Sequence, residues 1–393
     1  MAVNAMQLTD TYSLMNSIHQ QATGRASVTP TTTDEFVSQA TTTLGIGTDI
    51  AYSVLMDHIM RPIFAVRDYT EKFKGLYRTN EQFGAIRRKI SFADKPLQGA
   101  APMWDPAQLV DGGSIDPWII NKADVLEMRW YGSAVYDDSL TIFEDQIKTA
   151  FSGPEELGAF VTSQMTHQNN KYKQFRENLA RATVANFIGA KNDVDSASVI
   201  HLLTEYNTLT GQNLSAQDIY QEANIAGFFR WVRSRINTLA RLMRERSELF
   251  QVQVQNKLIA RHTENQDLMI YLRADALDII DTMVNTVTYH DEPLAYANVE
   301  GVTYWQAIDT PDEINVTPSV INSSGVYAQG NAQNIDDIFG VMFDRDAMAI
   351  NQYMYRVDNT PMNARGRYYN TFLHARLQYT NDLTEKGIVL LLD

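Results

Sequence analysis

Apolar positions along the chain follow two periods, and each predicts a different kind of element. Leu157, Val161, Met165, Gln168, Tyr172, Phe175, Leu179 and Ala182 recur every three or four residues, which predicts a helix with a narrow apolar seam. Ser152 and Glu155 are spaced as in a capping box, Pro154 suits a first turn and Gly189 suits a C-terminal stop, so the predicted helix spans 154–188. At 1.5 Å per residue it would run roughly 50 Å, which reads as a strut rather than a core helix. A second stripe, Ile225, Phe228, Phe229, Val232, Ile236, Leu239, Leu242 and Met243, is broad and aromatic and follows a start signal at Ser215-Ala216-Gln217-Asp218. It predicts a core-facing helix. A shorter helical stretch, 49–64, carries Ile50, Val54, Leu55, His58 and Ile59 on one side and is broken by Arg61-Pro62.

Alternation of period two marks the strands. Ile86, Ile90 and Phe92 share one face, interrupted by Arg88, with Arg87 and Lys89 opposite; Leu126, Met128 and Trp130 alternate with Glu127, Arg129 and Tyr131. Between these two runs lie about 30 residues punctuated by Pro96, Gly99, Pro102, Pro106, Gly112, Gly113 and Pro117, long for a loop inside a compact domain. The economical reading is a two-stranded arm that packs on another molecule, because an isolated hairpin is marginal in water. Asp267 to Leu272 predicts a buried strand feeding a helix from Ala274 to about Val284, the pattern of an α+β domain. Residues 304–320 and 338–343 add strand candidates. Tyr369, Thr371, Leu373, Ala375, Leu377 and Tyr379 predict a long half-buried strand, and Asn381-Asp382 and Lys386-Gly387 bracket a turn before a last strand, Ile388 to Leu392. Residues 1–47, rich in Thr, Ser and Gln, predict an arm with poor intrinsic packing.

Composition narrows the classes of function. With 393 residues, 44% hydrophobic and 20% charged, the chain can bury two or three cores, so disorder is not the default. No run approaches 18 apolar residues and the first ten lack a basic-then-apolar leader, which argues against membrane spanning and secretion. The absence of cysteine removes disulfides, thiolate nucleophiles and Cys-bound zinc. A net charge of −14 disfavours a general nucleic-acid binder, since phosphate affinity rests on Lys and Arg. The positive charge is clustered at Arg87-Arg88-Lys89 and at Arg230, Arg233, Arg235, Arg241, Arg244 and Arg246, as solvated faces or as contacts to an acidic neighbour.

Candidate chemistry is nearly empty. The histidines at 19, 58, 167, 201, 262, 290 and 374 form no metal-binding spacing. Gly45-Ile46-Gly47 is a fragment of a dinucleotide fingerprint, and neither a phosphate-binding loop nor a serine elbow occurs. Adjacent acids such as Asp137-Asp138 and Asp336-Asp337 do not converge on one face. Phe228-Phe229-Arg230-Trp231 suits packing better than base stacking. No catalytic, cofactor or metal residue is therefore predicted.

Three strings in order carry a resemblance: Leu140-Thr141-Ile142-Phe143-Glu144-Asp145-Gln146-Ile147 leading into Gly153-Pro154-Glu155-Glu156-Leu157; Gly340-Val341-Met342-Phe343-Asp344-Arg345-Asp346; and Tyr368-Tyr369-Asn370 with the closing Gly387-Ile388-Val389-Leu390. From about residue 49 onward the chain resembles a tailed-phage major capsid protein of the HK97-like fold, similar to those of phi29-like and related podoviruses. The resemblance implies an α+β capsid fold with an N-terminal arm (1–49), a lead-in helical region of the peripheral domain (50–82), an extended β-hairpin E-loop (83–135) and a peripheral domain (136–192) with spine helix 154–188. A lead-in to the axial domain (193–213), a second peripheral helix (214–266), the axial domain (267–356) and peripheral terminal strands (357–393) would follow. It implies a homo-oligomeric shell of hexamers and pentamers around double-stranded DNA bound without sequence specificity, with scaffolding, portal and cement proteins as partners, no membrane and no cofactor. Assembly would take place in the host bacterial cytoplasm, and the mature location is the virion.

Arg87, Arg88, Lys89, Trp104, Trp118 and Arg129 become candidate inter-subunit contacts of the E-loop, and Leu157, Val161, Met165, Tyr172, Phe175 and Leu179 the spine seam. Some relatives join subunits through an E-loop Lys and an Asn; Lys89 and Lys95 are present, but no feature identifies their partner. Because the chain stops at Asp393, the immunoglobulin-like domain of some relatives is expected to be absent. The alternatives are a portal-type ring subunit and an α+β enzyme whose catalytic groups are scattered in sequence.

Overall fold

The computed structural model describes residues 8–24, 27–46, 72–78, 87–93, 118, 122, 124–131, 133–150, 153–255, 257, 259–285 and 298–393. The predicted helix at 49–64 and the proline-punctuated segment of the arm fall outside them, apart from Trp118 and Lys122.

A 41-residue helix organises everything else. Among the described residues, the helices up to residue 210 are α1 (Leu8–Thr23), α2 (Thr33–Ile46), α3 (Glu144–Ala150), the long α4 (Pro154–Val194) and α5 (Leu202–Thr210). Pro154 stands in the first turn of α4 as expected, but the N-cap is Gly153 and makes no side-chain bond; Ser152 lies outside the described residues. The helix also passes the predicted stop. Gly189 is buried in mid-helix, where a Cβ would sit 2.6 Å from Val316 Cγ1, so this glycine permits a close approach rather than a termination. The end comes at Val194, with Asp195 as C-cap. Nor is the helix a polar strut throughout: Ala180, Arg181, Val184, Phe187, Ile188, Ala190 and Lys191 are all buried, and Ala182 of the predicted seam is exposed.

That burial arises because α4 lies against two sheets. The first contains β1 (Tyr77–Arg78), β4 (Ser133–Phe143), β13 (Met348–Asn359) and β14 (Tyr368–Asn381) in the order β1-β13-β14-β4. Its inner face sets Leu373, Ala375 and Leu377 against α4, while Asn370, Phe372 and His374 remain half-buried on the other face. The alternation predicted for β14 holds as far as Leu377 and then breaks: Gln378 and Thr380 are buried and Tyr379 is 39% exposed.

The second sheet runs β5 (Val199–His201), β15 (Gly387–Leu391), β12 (Ile338–Asp344), β6 (Leu268–Arg273) and β7 (Val299–Val302) in that spatial order. Tyr271, Val341, Phe343 and Val389 join the core shared with α4. Ile270, Phe339, Met342 and Leu390 turn the opposite way, towards α6 (Glu222–Arg244), next to which packs α7 (Ala274–Asn285). The aromatic stripe of α6 is buried as predicted, at Phe228, Phe229, Val232, Ile236, Leu239 and Met243. Its start differs from expectation: Ser215 donates through N and Oγ to Asp218 Oδ2 at 2.9 and 2.7 Å, and this closes a short 3-10 turn, so that α6 begins only at Glu222. The predicted β6–α7 unit appears as expected. Residues 304–335 form two small antiparallel pairs, β8 (Ile314–Val316) with β11 (Gln333–Ile335) and β9 (Ser319–Ile321) with β10 (Tyr327–Gln329), of which β8, β9 and β11 lie near α4.

Gly340 lies in β12, flanked by β15 and β6, and a Cβ there would meet Leu272 Cδ2 at 2.5 Å and the Tyr271 carbonyl oxygen at 2.7 Å. A side chain can rotate away, whereas a carbonyl held in the sheet cannot. Gly340→Ala is expected to lower stability by about 1–3 kcal/mol, as overpacking does in a rigid core. Urea unfolding of the two proteins measures it, and equal midpoints would contradict the packing argument.

The N-terminal segment corrects the expectation of poor packing. Thr32 Oγ1 accepts from the Glu35 amide at 3.3 Å and Glu35 reaches back to the Thr31 amide at 2.8 Å, a capping-box-like start for α2. Tyr12, Met15, Ile18, Phe36 and Ala40 are buried, and the two helices pack on each other. Tyr12 faces Phe36 and His19 bonds Thr43, so α1 and α2 run in the same sense, and α1 packs on α4.

Candidate assembly interface

The arm is anchored by its polar face. Its base is the antiparallel pair β2 (Arg87–Phe92) and β3 (Val125–Trp130), with Arg87 opposite Trp130 and Phe92 opposite Val125. On β3, Leu126, Met128 and Trp130 are buried as the alternation predicts. On β2 the polar face turns inward: Arg87, Lys89 and Ser91 are half-buried, and Ile90 and Phe92 are exposed by 47% and 67%.

The turn between β14 and β15 supplies the reason. Lys89 Nζ lies 2.6 Å from Asp382 Oδ2 and also bonds Glu385 Oε1. Arg261 NH1 approaches Glu385 Oε1 at 2.5 Å, while its NH2 donates to Ser91 Oγ at 3.1 Å and Thr384 Oγ1 at 3.3 Å. Thr384 Oγ1 donates to Asp382 Oδ1 at 2.6 Å, and Arg87 NH1 donates to Thr380 Oγ1 at 2.9 Å. Trp130 Nε1 donates to the Asn381 carbonyl at 2.9 Å, and Gln378 Nε2 to the Trp130 carbonyl at 3.1 Å. These bonds cover the second face of β14, which explains why Gln378 and Thr380 are buried there. The Asp382 and Glu385 side chains are 2% and 9% exposed, and burial pushes the Glu385 carboxyl above its ordinary range, opposed by Lys89 and Arg261.

The outer face carries a separate cluster. Arg129 Nε at 2.5 Å and Arg88 Nε at 2.7 Å both meet Glu127 Oε1, and Arg129 first, then Arg88, holds that carboxyl below its ordinary range. Around it Ile90, Phe92 and Val125 face solvent. Trp118 is 85% exposed, and Trp104 lies outside the described residues. The arm's candidates therefore divide. Arg87 and Lys89 bond their own chain, and Arg88 and Arg129 present outward. On the spine, Tyr172 is buried and Phe175 and Leu179 are half-buried; Leu157, Val161 and Met165 lie in α4, but their side chains are not among those described.

Lys386, next in the same turn, donates to the Glu245 carbonyl at 2.8 Å and Ser247 Oγ at 2.9 Å, and burial lowers its pKa from an ordinary 10.5 to about 8. Between these values the unfolded chain holds a proton that the folded chain has released, so stability rises with pH across that window. Its contribution is complete above 10.5 and is lost as pH falls through 8. Comparison with Lys386→Met isolates it: the difference in stability, parent minus variant, is expected to climb from pH 8 to 10.5 in chemical unfolding. A flat difference would remove the assignment.

Among the described residues no group of three His, Asp or Glu is placed to hold a metal ion, and no helix is long and apolar enough to cross a membrane. An inward ionic anchor, an outward apolar face and a spine helix shared by two sheets make an architecture of attachment. The family model for Phi29-like phage major capsid proteins matches residues 14–390. The chain belongs to this family. Solved capsid folds agree with the architecture. The capsid structure of Staphylococcus phage Andhra superposes with a TM-score of 0.52 at 12% identity, covering 83% of this chain and 86% of that one. The structure of head fiber and inner core protein gp22 of native bacteriophage P68 contains a chain that superposes with a TM-score of 0.54 at 10% identity, covering 84% and 86%. At such identity these likenesses show the fold, which is the HK97-like α+β capsid fold. No curated protein matches the sequence. As a major capsid protein the chain is a structural subunit of the phage head and not an enzyme, assembling with copies of itself in the virion.

The network that anchors the arm of this capsid protein escaped sequence reasoning. Lys89 and Asp382 stand 293 residues apart, and nothing in the neighbourhood of Arg261 marks it. The available signal was the Asp382, Glu385 and Lys386 cluster in a turn otherwise bounded by apolar strands.

Proposed function

We propose that this subunit builds hexamers and pentamers of a closed shell around double-stranded DNA, with the E-loop laid across a neighbouring copy. The observation that carries this reading is the outer face of the arm base, where Ile90, Phe92 and Val125 stand exposed around a paired Arg88–Glu127–Arg129 cluster while the opposite face is fixed to the subunit. Apolar surface covered there contributes roughly 25 cal/mol per Å², offset by ordering costs, so shell stability comes from repetition of modest contacts. In the division the resemblance implies, the spine helix and the terminal strands (357–393) belong to the peripheral domain, and residues 267–356, which include β6, α7, β7 and β12, belong to the axial domain. Scaffolding and portal proteins are the partners in assembly, which takes place in the bacterial cytoplasm, and the DNA is enclosed without sequence-specific contacts.

Negative-stain microscopy of the protein expressed alone and with a scaffolding protein tests this. Capsomers or closed shells are expected, whereas a single ring of about a dozen subunits or a small uniform oligomer overturns the reading.

A further inference from the structure

The inverted face of β2 poses a physical problem. A strand whose apolar residues point outward has no hydrophobic reason to sit in its observed register, since a slip of one residue moves every side chain to the other face. For β2 that slip would place Ile90 and Phe92 inward and Arg87, Lys89 and Ser91 outward, the arrangement that would bury its apolar face.

We infer that Lys89, Arg261, Asp382 and Glu385 are positioning residues that set the register of the arm, selecting the face that leaves Ile90 and Phe92 outside. Three observations support this. The four side chains form a closed set of two cations and two carboxylates, joined through Thr384, and every inward residue of β2 bonds within or beside it: Arg87 to Thr380, Lys89 to both acids, Ser91 to Arg261. Burial of such a set brings little net stability, because desolvation offsets most of the attraction, and the better-attested use of buried charge is to specify register. The network also occupies the turn that joins β14 of one sheet to β15 of the other, so the same residues that orient the arm hold the junction on which the subunit is built. The inference rests on the proposed role of the outer face, but its test requires no assembly.

The chain contains no cysteine, so single reporters are clean. Ser91→Cys and Phe92→Cys are made separately in the full-length parent and in Lys89→Met/Glu385→Met, a pair of substitutions that keeps volume and net charge. Thiol labelling is followed on unassembled subunit with a maleimide. In the parent, Phe92→Cys should label about tenfold faster than Ser91→Cys, as expected of an exposed and a half-buried site. In the double variant that ratio should fall by about tenfold or more, with the thermal midpoint shifted by no more than about 2 °C. Lys89→Arg, which keeps the charge, should preserve the ratio. An unchanged ratio in the double variant overturns the inference. Fast labelling of both sites together with a large drop in midpoint also overturns it, because the network would then hold the fold and not the register. Failure of shells to form in microscopy, with the labelling result intact, would count against the proposed function and leave the register assignment standing.

Discussion

Deleting residues 96–113 is expected to yield a subunit that unfolds at the parent's midpoint and builds no closed shells. The arm's described anchors lie on either side of the deleted segment: Arg87, Lys89 and Ser91 before it, Trp130 and its bond to Asn381 after it. None is removed, and neither is any residue of the cores around the spine helix. Under the proposed function, what is lost is surface offered to another copy. A specific interface between proteins buries about 800 Å² on each partner, and removing a substantial share of one that recurs around a closed shell removes the margin for closure. Calorimetry and sedimentation velocity, run on the same preparation, separate the two quantities. Normal heads from this deletion would end the assignment of the arm as an assembly element; a collapsed midpoint would show that the arm is part of the subunit's own core.

Legibility in the sequence followed the number of open faces each element has. Strand β14 could be read as far as Leu377 because one face of its sheet meets α4 and the other stays partly open. Helix α6 could be read because its stripe has one partner, the five-stranded sheet. The C-terminal half of α4 could not, because it is covered on several sides. Ala180, Ala190 and Lys191 look unremarkable or polar in a seam, yet all three are buried, Lys191 with its charge met by Asp195 at 2.9 Å and the Phe250 carbonyl at 2.9 Å. Gly189 serves packing and not termination, which its residue type alone does not distinguish. In the N-terminal segment composition conceals packing: among its threonines stand Tyr12, Met15 and Ile18 at a spacing that lets short helices bury apolar side chains. At the arm, the Arg87-Arg88-Lys89 cluster and the alternation were both visible, but periodicity assumes that apolar residues face the protein. On β2 long-range ion pairs decide the matter the other way.

Arg181→Ala is expected to be the most destabilising single substitution on the spine helix, at about 3 kcal/mol, the lower end of what breaking a buried ion pair costs. Arg181 is 4% exposed and sits at the meeting point of three segments. Its guanidinium lies 3.5 Å from the centre of the Tyr304 ring and 5.2 Å from that of Phe73, donates to the Tyr304 carbonyl, and pairs with Glu177 at 2.6 Å. Alanine leaves Glu177 without that cation, the Tyr304 carbonyl without that donor, and a void between two rings. Arg181→Met fills the void but supplies no charge, so it should lose roughly half as much, and the order Ala worse than Met separates packing from electrostatics. Because Glu177 keeps some access to water, the pair is not fully desolvated, and the lower end of the range applies. The damage should reach beyond the helix. Phe73 and Leu76 are fully buried beside β1, and Arg176, one turn earlier on α4, stacks 4.2 Å from the centre of the Tyr77 ring. The spine thus holds this segment through two arginines, and loss of one should raise hydrogen exchange at residues 72–78 before the sheets open. Urea unfolding gives the ranking and exchange mass spectrometry gives the location. Equal midpoints for Ala and Met would mean that the ring packing contributes nothing measurable, and unchanged exchange at 72–78 would mean that the segment's other contacts, among them β1 pairing with β13 and the hydrogen bond from the Phe73 amide to Glu300, hold it without Arg181.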